Sequence, residues 1–268
     1  MLTSQAVTSR PPAVAGQFYP ADAETLSDMI QQMFTQAKPA PHARVKALIA
    51  PHAGYIYSGP IAASAYQCLS DQADDIERVV LLGPSHRVGF HGIATTSSKS
   101  YSMPFGDIPI DQNAIDQIRD LPQVMELDQA HQFEHSLEVQ LPFLQTVLKN
   151  FSLVPLVVGE CAAQQVAEVL ERLWDGEETL FVISSDLSHY NPYEVARQQD
   201  QHTSDAILQM APEKIHYDDA CGRNPVGGLL LAARHHGLKP ALLDLRNSGD
   251  TAGDRDRVVG YGAYIFTP

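Results

Sequence analysis

Cysteine, tryptophan and clusters of positive charge are scarce in this 268-residue chain. Cys68, Cys161 and Cys221 form an odd set without close spacing, which excludes a disulfide framework and suits a reducing compartment. Eighteen Lys and Arg face 32 Asp and Glu, for a formal net charge of -14. With no basic cluster, most of the surface would repel a phosphate backbone, so nucleic acid is not an expected partner. No apolar run approaches bilayer length, and Met1 to Arg10 lack the charged start and apolar stretch of a secretory signal. The expectation is a cytoplasmic protein without a membrane partner. Internal repeats and low-complexity tracts are absent too, and the only linker-like stretch is Lys38-Pro39-Ala40-Pro41-His42-Ala43.

The chain does have enough apolar residues for a sizeable core: 44% are hydrophobic and 19% charged, which argues against disorder. A first helix is predicted after Asp22 as N-cap, with Leu26, Met29, Ile30, Met33 and Phe34 at helical spacing. Short apolar runs then alternate with helical patterns. The runs span Val45–Ala50, Arg78–Leu82, Leu153–Val158, Thr179–Ser184, Ala241–Leu245 and Val258–Phe266. Helices are predicted near Pro60–Leu69, Ala114–Arg119, Ser136–Lys149, Ala162–Trp174, Tyr193–Met210 and Pro225–His236. Near-continuous Val, Leu and Ile in the runs predict an α/β fold in one domain, with a central sheet covered by helices on both faces.

Three of the runs end on polar residues. "VKALIAPHAGY" ends in His52, "RVVLLGPSHR" in His86, and "TLFVISSDLSHY" in Asp186 and His189. The carboxyl ends of strands form the ligand crevice of open α/β sheets, so these groups can converge although they are distant in sequence. Ser184, Ser185 and Ser188 read as turn and cap hydroxyls. Ser85 comes near the G-x-S-x-G nucleophile elbow, but Arg87 occupies the last glycine position. Cys221 precedes the helix predicted from Pro225, a placement that predisposes a thiol to metal ligation or nucleophilic work. Cys68 and Cys161 read as packing residues.

A rival motif is "HQFEH", His131 to His135, which matches the H-x-x-E-H pattern of one zinc peptidase class. The helical pattern begins only at Ser136, with Glu138 favourable in its first turn, and Pro142 interrupts it. The two rings are therefore not expected to share a helix face. "RNSGDTAGDRDRVVGYGAY" reads as a loop before the last strand that could wall a site, with Arg246 or Asp250 reaching a ligand. His235-His236 before Gly237 reads as a helix C-terminus.

The blocks "RPPAVAGQFYP", "IAPHAGYIYSGPIAASAY", "VVLLGPSHR", "EHSLEVQLPFLQ", "VPLVVG", "SSDLSHY", "CGRNP" and "RNSGDTAGDRDRVVGYGAY" resemble, in order, those of the Memo family, the middle component of AmmeMemoRadiSam gene neighbourhoods. The resemblance implies one Memo-like domain over residues 1–268, with a mixed, largely parallel sheet like that of class III, LigB-type extradiol dioxygenases. Those enzymes use non-haem iron bound by two histidines and a glutamate. The Memo pattern implies two histidines and a cysteine, which fall on His52, His86 and Cys221, with Asp186 and His189 lining the same pocket. His189 matches the dioxygenase acid/base histidine. A thiolate in the donor set suits copper and zinc as well as iron.

Three functions follow as expectations. The first is a metal-dependent, dioxygenase-like oxidoreductase using Fe(II) or Cu, with Zn possible, on a small oxygen-rich substrate, with His189 and Asp186 catalytic. The second is a binding module for a (phospho)peptide or protein partner in the same pocket. The third is a zinc metallopeptidase on His131 and His135. The gene neighbourhood adds a functional link to AMMECR1-like and radical-SAM proteins.

Overall fold

In the computed structural model, residues 9–38, 43–174 and 176–268 are described. The Lys38–Ala43 linker and the Met1–Arg10 start fall mostly outside them. The elements are β1 (Ser9–Arg10), α1 (Ala23–Gln36), β2 (Ala47–Ala50), α2 (Tyr55–Tyr66), β3 (Arg78–Pro84), β4 (Ile93–Thr95), β5 (Ser100–Tyr101), β6 (Ile108–Pro109), α3 (Gln112–Ile118) and β7 (Val124–Glu126). They continue with α4 (Asp128–Gln132), α5 (Leu141–Val147), β8 (Ser152–Val158), α6 (Ala163–Arg172), β9 (Thr179–Ser184), β10 (His189–Asn191), α7 (Tyr193–Leu208), α8 (Arg223–His235), β11 (Lys239–Asn247) and β12 (Val258–Thr267).

The main sheet runs β10-β12-β2-β9-β3-β8-β4-β7, with β11 also paired to β12. Its centre, β2-β9-β3-β8, is parallel, whereas β12 and β4 join it antiparallel. Every residue of β2 and β9 is buried. Successive strand side chains point to opposite faces, so both faces must be covered. On one side α6 packs on α8, which meets β3 and β9; α2 lies over β2, β11 and β12 and contacts α1 and α5. This is the expected α/β sheet.

Local chemistry accounts for several boundaries. Asp22 caps α1 by accepting the Thr25 N–H at 2.9 Å. Helix α2 begins at Tyr55 rather than Pro60, which sits inside the helix. The stretch predicted as one helix from Ser136 breaks into a turn, a 3₁₀ segment at Glu138–Gln140 and α5, in whose first turn Pro142 stands. Proline is accommodated there because the first helical N–H groups have no intrahelical acceptor. Gly237, at φ +69, ends α8 as the left-handed cap residue.

The parallel register aligns the strand ends that carry the chemistry. Ala50 lies opposite Ser184, and Leu82 opposite Ile183, so the residues just after β2, β3 and β9 emerge at one edge. β12 contacts β2 through Tyr264–Phe266 and β10 through Val258–Val259. Its first half therefore runs past the carboxyl end of β2 and holds His189 above the same edge.

Candidate metal centre

His52, His86 and His135 meet at this edge, with one ligand nitrogen from each lying within 4.8 Å of the others. The ring centroids are 5.2 Å apart for His52 and His86, 5.5 Å for His52 and His135, and 4.6 Å for His86 and His135. Cys221 Sγ stands 3.4 Å from His52 Nε2. Asp186 accepts the His52 backbone N–H at 2.7 Å and sends its own N–H to Cys221 Sγ at 3.3 Å.

The hydrogen bonds specify which nitrogens carry the lone pairs. The Ser184 hydroxyl donates to Ser136 O at 2.5 Å and accepts from Gln140 Nε2 at 2.7 Å. Its proton being committed, it can only accept from His52 Nδ1, 2.8 Å away. His52 thus carries its hydrogen on Nδ1 and its lone pair on Nε2. His86 Nδ1 lies 2.9 Å from Glu134 Oε1; a carboxylate accepts only, so the lone pair of His86 also falls on Nε2. A carboxylate behind an imidazole is the usual outer partner of a metal-binding histidine. His135 Nδ1 is buried without a hydrogen-bond partner, 3.3 Å from Glu134 Oε1 but not aligned to it.

Burial favours the neutral form of His52, His135 and His189. Burial, and then the neighbouring His86, His135 and His189, depress the His52 pKa well below its usual range. Burial takes His135 down to about 4 against the pull of Glu134, and burial also lowers His189. Glu134 is held at about 2: burial opposes ionisation, but hydrogen bonds from His86 and Ser136 outweigh it. Burial raises Asp186 to about 7, with the His52 N–H opposing. Burial and the Asp186 charge push the Cys221 thiol up.

Two openings share the centre. A cavity of about 630 Å³ is lined by His52, His135, Asp186, Tyr57, Tyr190 and Arg257; one of about 680 Å³ is lined by Cys221, Phe90, Tyr217 and Arg223. His86 and His189 border both. Cys221 is brought in by Gly222, whose N–H donates to Ser185 Oγ at 2.9 Å. A Cβ on Gly222 would lie 2.6 Å from the Ser185 side chain, so only glycine permits this approach. Tyr190, at φ +60, and the β-bulge around it bend β10 beside His189.

Strand-end placement puts His52, His86, Asp186 and His189 at this edge and the family resemblance adds Cys221, but His135 falls in the rival zinc motif. The structure separates that motif's two rings. α4 ends at Gln132, and His131 turns into the core, with Nδ1 2.6 Å from Tyr101 OH and Nε2 3.0 Å from Ala94 O. Both of its nitrogens are engaged by protein. Arg10 produces the break: it donates to His131 O at 2.9 Å and Glu134 O at 2.6 Å and pairs with Glu138. Glu138, read as a first-turn helical residue, does open the 3₁₀ segment and is fully buried there. It accepts the N–H groups of Ala13 and Val14 and the hydroxyl of Tyr19. A closer signal for His135 lay in "EHSLEVQ", where the histidine stands beside the carboxylate that orients His86.

Other expectations are also revised. Ser184 is part of the His52 network rather than a simple cap, whereas Ser85 is a turn hydroxyl donating to Val88 O at 2.6 Å. Arg246 pairs with Asp244 at 2.6 Å, and Asp250 accepts from Tyr193 OH at 2.5 Å. Neither lines the centre; their loop supplies Ser248, Gly253, Asp254 and Arg257 to its wall instead. Cys68 and Cys161 are buried free thiols, which burial raises to about 11. Among the described residues no helix is long and apolar enough to cross a membrane.

The model of the Memo-like protein family matches residues 10–265. A MEMO1 family protein of Ignicoccus hospitalis is 37% identical, the alignment covering 96% of this chain and 98% of the relative. One from Aquifex aeolicus is also 37% identical, with the same coverage. The fold is similar to that of a crystallised, uncharacterized protein of Escherichia coli K12, with TM-score 0.54 and 15% identity over 81% of this chain and 99% of that one. With its sequence blocks, its sheet and these relatives in agreement over nearly its whole length, the chain belongs to the Memo family.

Proposed function

We propose that this protein is a metal-dependent redox enzyme of dioxygenase-like type, acting on a small oxygen-rich substrate. His52, His86 and Cys221 would hold iron or copper, and His135 would be a further donor. The observation that carries the reading is the convergence of three imidazole nitrogens, two with lone pairs assigned by their partners, beside a thiol 3.4 Å from one of them. Imidazole with thiolate suits copper, zinc and iron. The bound ion would supply redox and Lewis-acid chemistry.

The remaining roles fall to the chain's own groups. The neutral His52 and His135 rings present lone pairs without first losing protons, while the Cys221 thiol, raised by burial and by Asp186, must release its proton on ligation. Asp186, at about 7, can hold or release a proton near neutrality and fixes the His52 backbone. His189, bordering both openings, is placed to move a proton to or from a substrate oxygen.

Anaerobic reconstitution with Fe(II), Cu(I) or Zn(II), followed by elemental analysis and an oxygen-uptake screen, tests this. One equivalent of ion is expected at this centre, lost in His52→Ala and His86→Ala. A sulfur charge-transfer band with Cu(II) or Co(II) should vanish in Cys221→Ser. His189→Ala should retain the ion while turnover falls about 10²- to 10⁴-fold. No stoichiometric ion under any of these conditions would sink the proposal.

One feature favours a second reading, a recognition module for a (phospho)peptide or for AMMECR1-like or radical-SAM partners. Tyr57 and Tyr190 are exposed at the mouth, with Arg257 5.1 Å over the Tyr190 ring. Peptide binding that survives chelation and His86→Ala would support it over the enzyme.

A further inference from the structure

The geometry points to a second, independent divalent-metal site formed by Glu171, His235 and His236, where the carboxyl ends of α6 and α8 meet. Their ligand atoms lie within 4.8 Å of one another. Glu171 reaches both rings: Oε1 is 2.8 Å from His235 Nδ1, and Oε2 is 2.8 Å from His236 Nε2. Tetrahedral donors at ordinary zinc distances are spaced about 3.4 Å apart, so small side-chain rotations would bring all three onto one ion. Each ring would place its hydrogen on the outer nitrogen and turn its lone pair inward.

Three further features favour a cation here. The histidines close a 13-residue helix, at the end where backbone dipoles attract positive charge. His236 is already positioned, its ring stacked on Trp174 at 4.1 Å and 8°. His235 is 72% exposed, so an ion can enter from solvent and keep water in its remaining positions. Two imidazoles and one carboxylate select a borderline divalent ion, Zn²⁺, Ni²⁺ or Cu²⁺, over Mg²⁺ or Ca²⁺.

The site lies away from the three-histidine centre. Trp174 also stacks on Phe181 in β9, about 10 Å of strand before Ser184. Trp174 is the chain's single tryptophan and lies against one of the proposed ligands, so its fluorescence reports this site.

The test is a Cu²⁺ titration of that fluorescence in His86→Ala protein, which disables the other centre, with Zn²⁺ as competitor. Saturable quenching by one equivalent, reversed by Zn²⁺, is expected. Adding His235→Ala or Glu171→Ala should weaken it at least tenfold, because loss of an outer partner alone costs about 10- to 100-fold in metal affinity. The starting emission should be retained, since His236 stays on the indole. Quenching that does not saturate, or that is unchanged in both variants, would overturn the site.

Discussion

Two polar regions share the segment His131–Glu138, one closed within the core and one open to solvent at His86, and they differ in what is left unsatisfied. Around Arg10, His131 and Glu138, donors and acceptors are matched within the protein: both nitrogens of His131 are taken, and Glu138 receives two backbone N–H groups, a tyrosine hydroxyl and a guanidinium. At the His52, His86 and His135 cluster, three side chains present nitrogens to a shared space. Burial of histidine therefore identifies no site by itself. The informative quantity is whether its second nitrogen is closed off by a hydroxyl or carbonyl, as in His131, or faces other donor atoms, as in His52. Arg10 links the regions, because its bonds to His131 O and Glu134 O shape the turn that releases His135 toward the centre.

The comparison can be broken most forcefully at Glu138. Glu138→Ala leaves the Arg10 charge buried and unpaired, and should cost about 3–5 kcal/mol in denaturant unfolding. A loss below about 1 kcal/mol would mean that the polar hub does not hold the segment. The two ends of "HQFEH" provide the next contrast. His86→Ala or His135→Ala should weaken metal binding at least about 100-fold, beyond the range for outer partners. His131→Phe should leave stoichiometry intact but cost roughly 1–3 kcal/mol in stability, through the polar atoms it strands. Metal loss in His131→Phe at full stability would invert the assignment. Glu134→Gln sharpens the boundary between the regions and should cost about 10- to 100-fold in affinity with the ligands still present; calorimetry would read it.

The smallest expected effect concerns Asp200, which holds the backbone behind His189 by accepting the Ser188 N–H at 2.9 Å. Burial raises its pKa to about 6, so the folded state binds this proton more tightly than the unfolded chain, where an aspartate titrates near 3.9. The proton-linked stability is fully present below about pH 4 and is lost as pH rises through about 6. Relative to Asp200→Asn, the wild type should therefore lose roughly 1–3 kcal/mol between pH 4 and 7. A difference independent of pH in paired denaturation curves would refute the raised pKa.

The long strands and helices were legible because their signals are local. The β9 span Thr179–Ser184 was predicted to the residue, and the Asp22 cap follows from one side chain and the next turn. β4, β5, β6, β7 and β10, of two or three residues each, carry too few side chains for a period to emerge. Strand-end placement makes His52, His86, Asp186 and His189 candidates from the sequence alone. His135 and Glu134 were not legible as site residues, because the motif they complete in sequence is cut by an arginine more than a hundred residues away.

The sequence by itself determined the α/β alternation, the strand ends on which the polar residues fall and, through its ordered blocks, the family. Those properties depend on neighbours along the chain and on the two-residue and 3.6-residue periods of backbone geometry. Only the tertiary structure decided which ring nitrogens carry the lone pairs, that His131 is structural while His135 joins the centre, and that Gly222 lets Cys221 approach Ser185. These depend on contacts between segments far apart in sequence, and a buried polar atom's role is fixed by the partner that reaches it, not by its place in a motif.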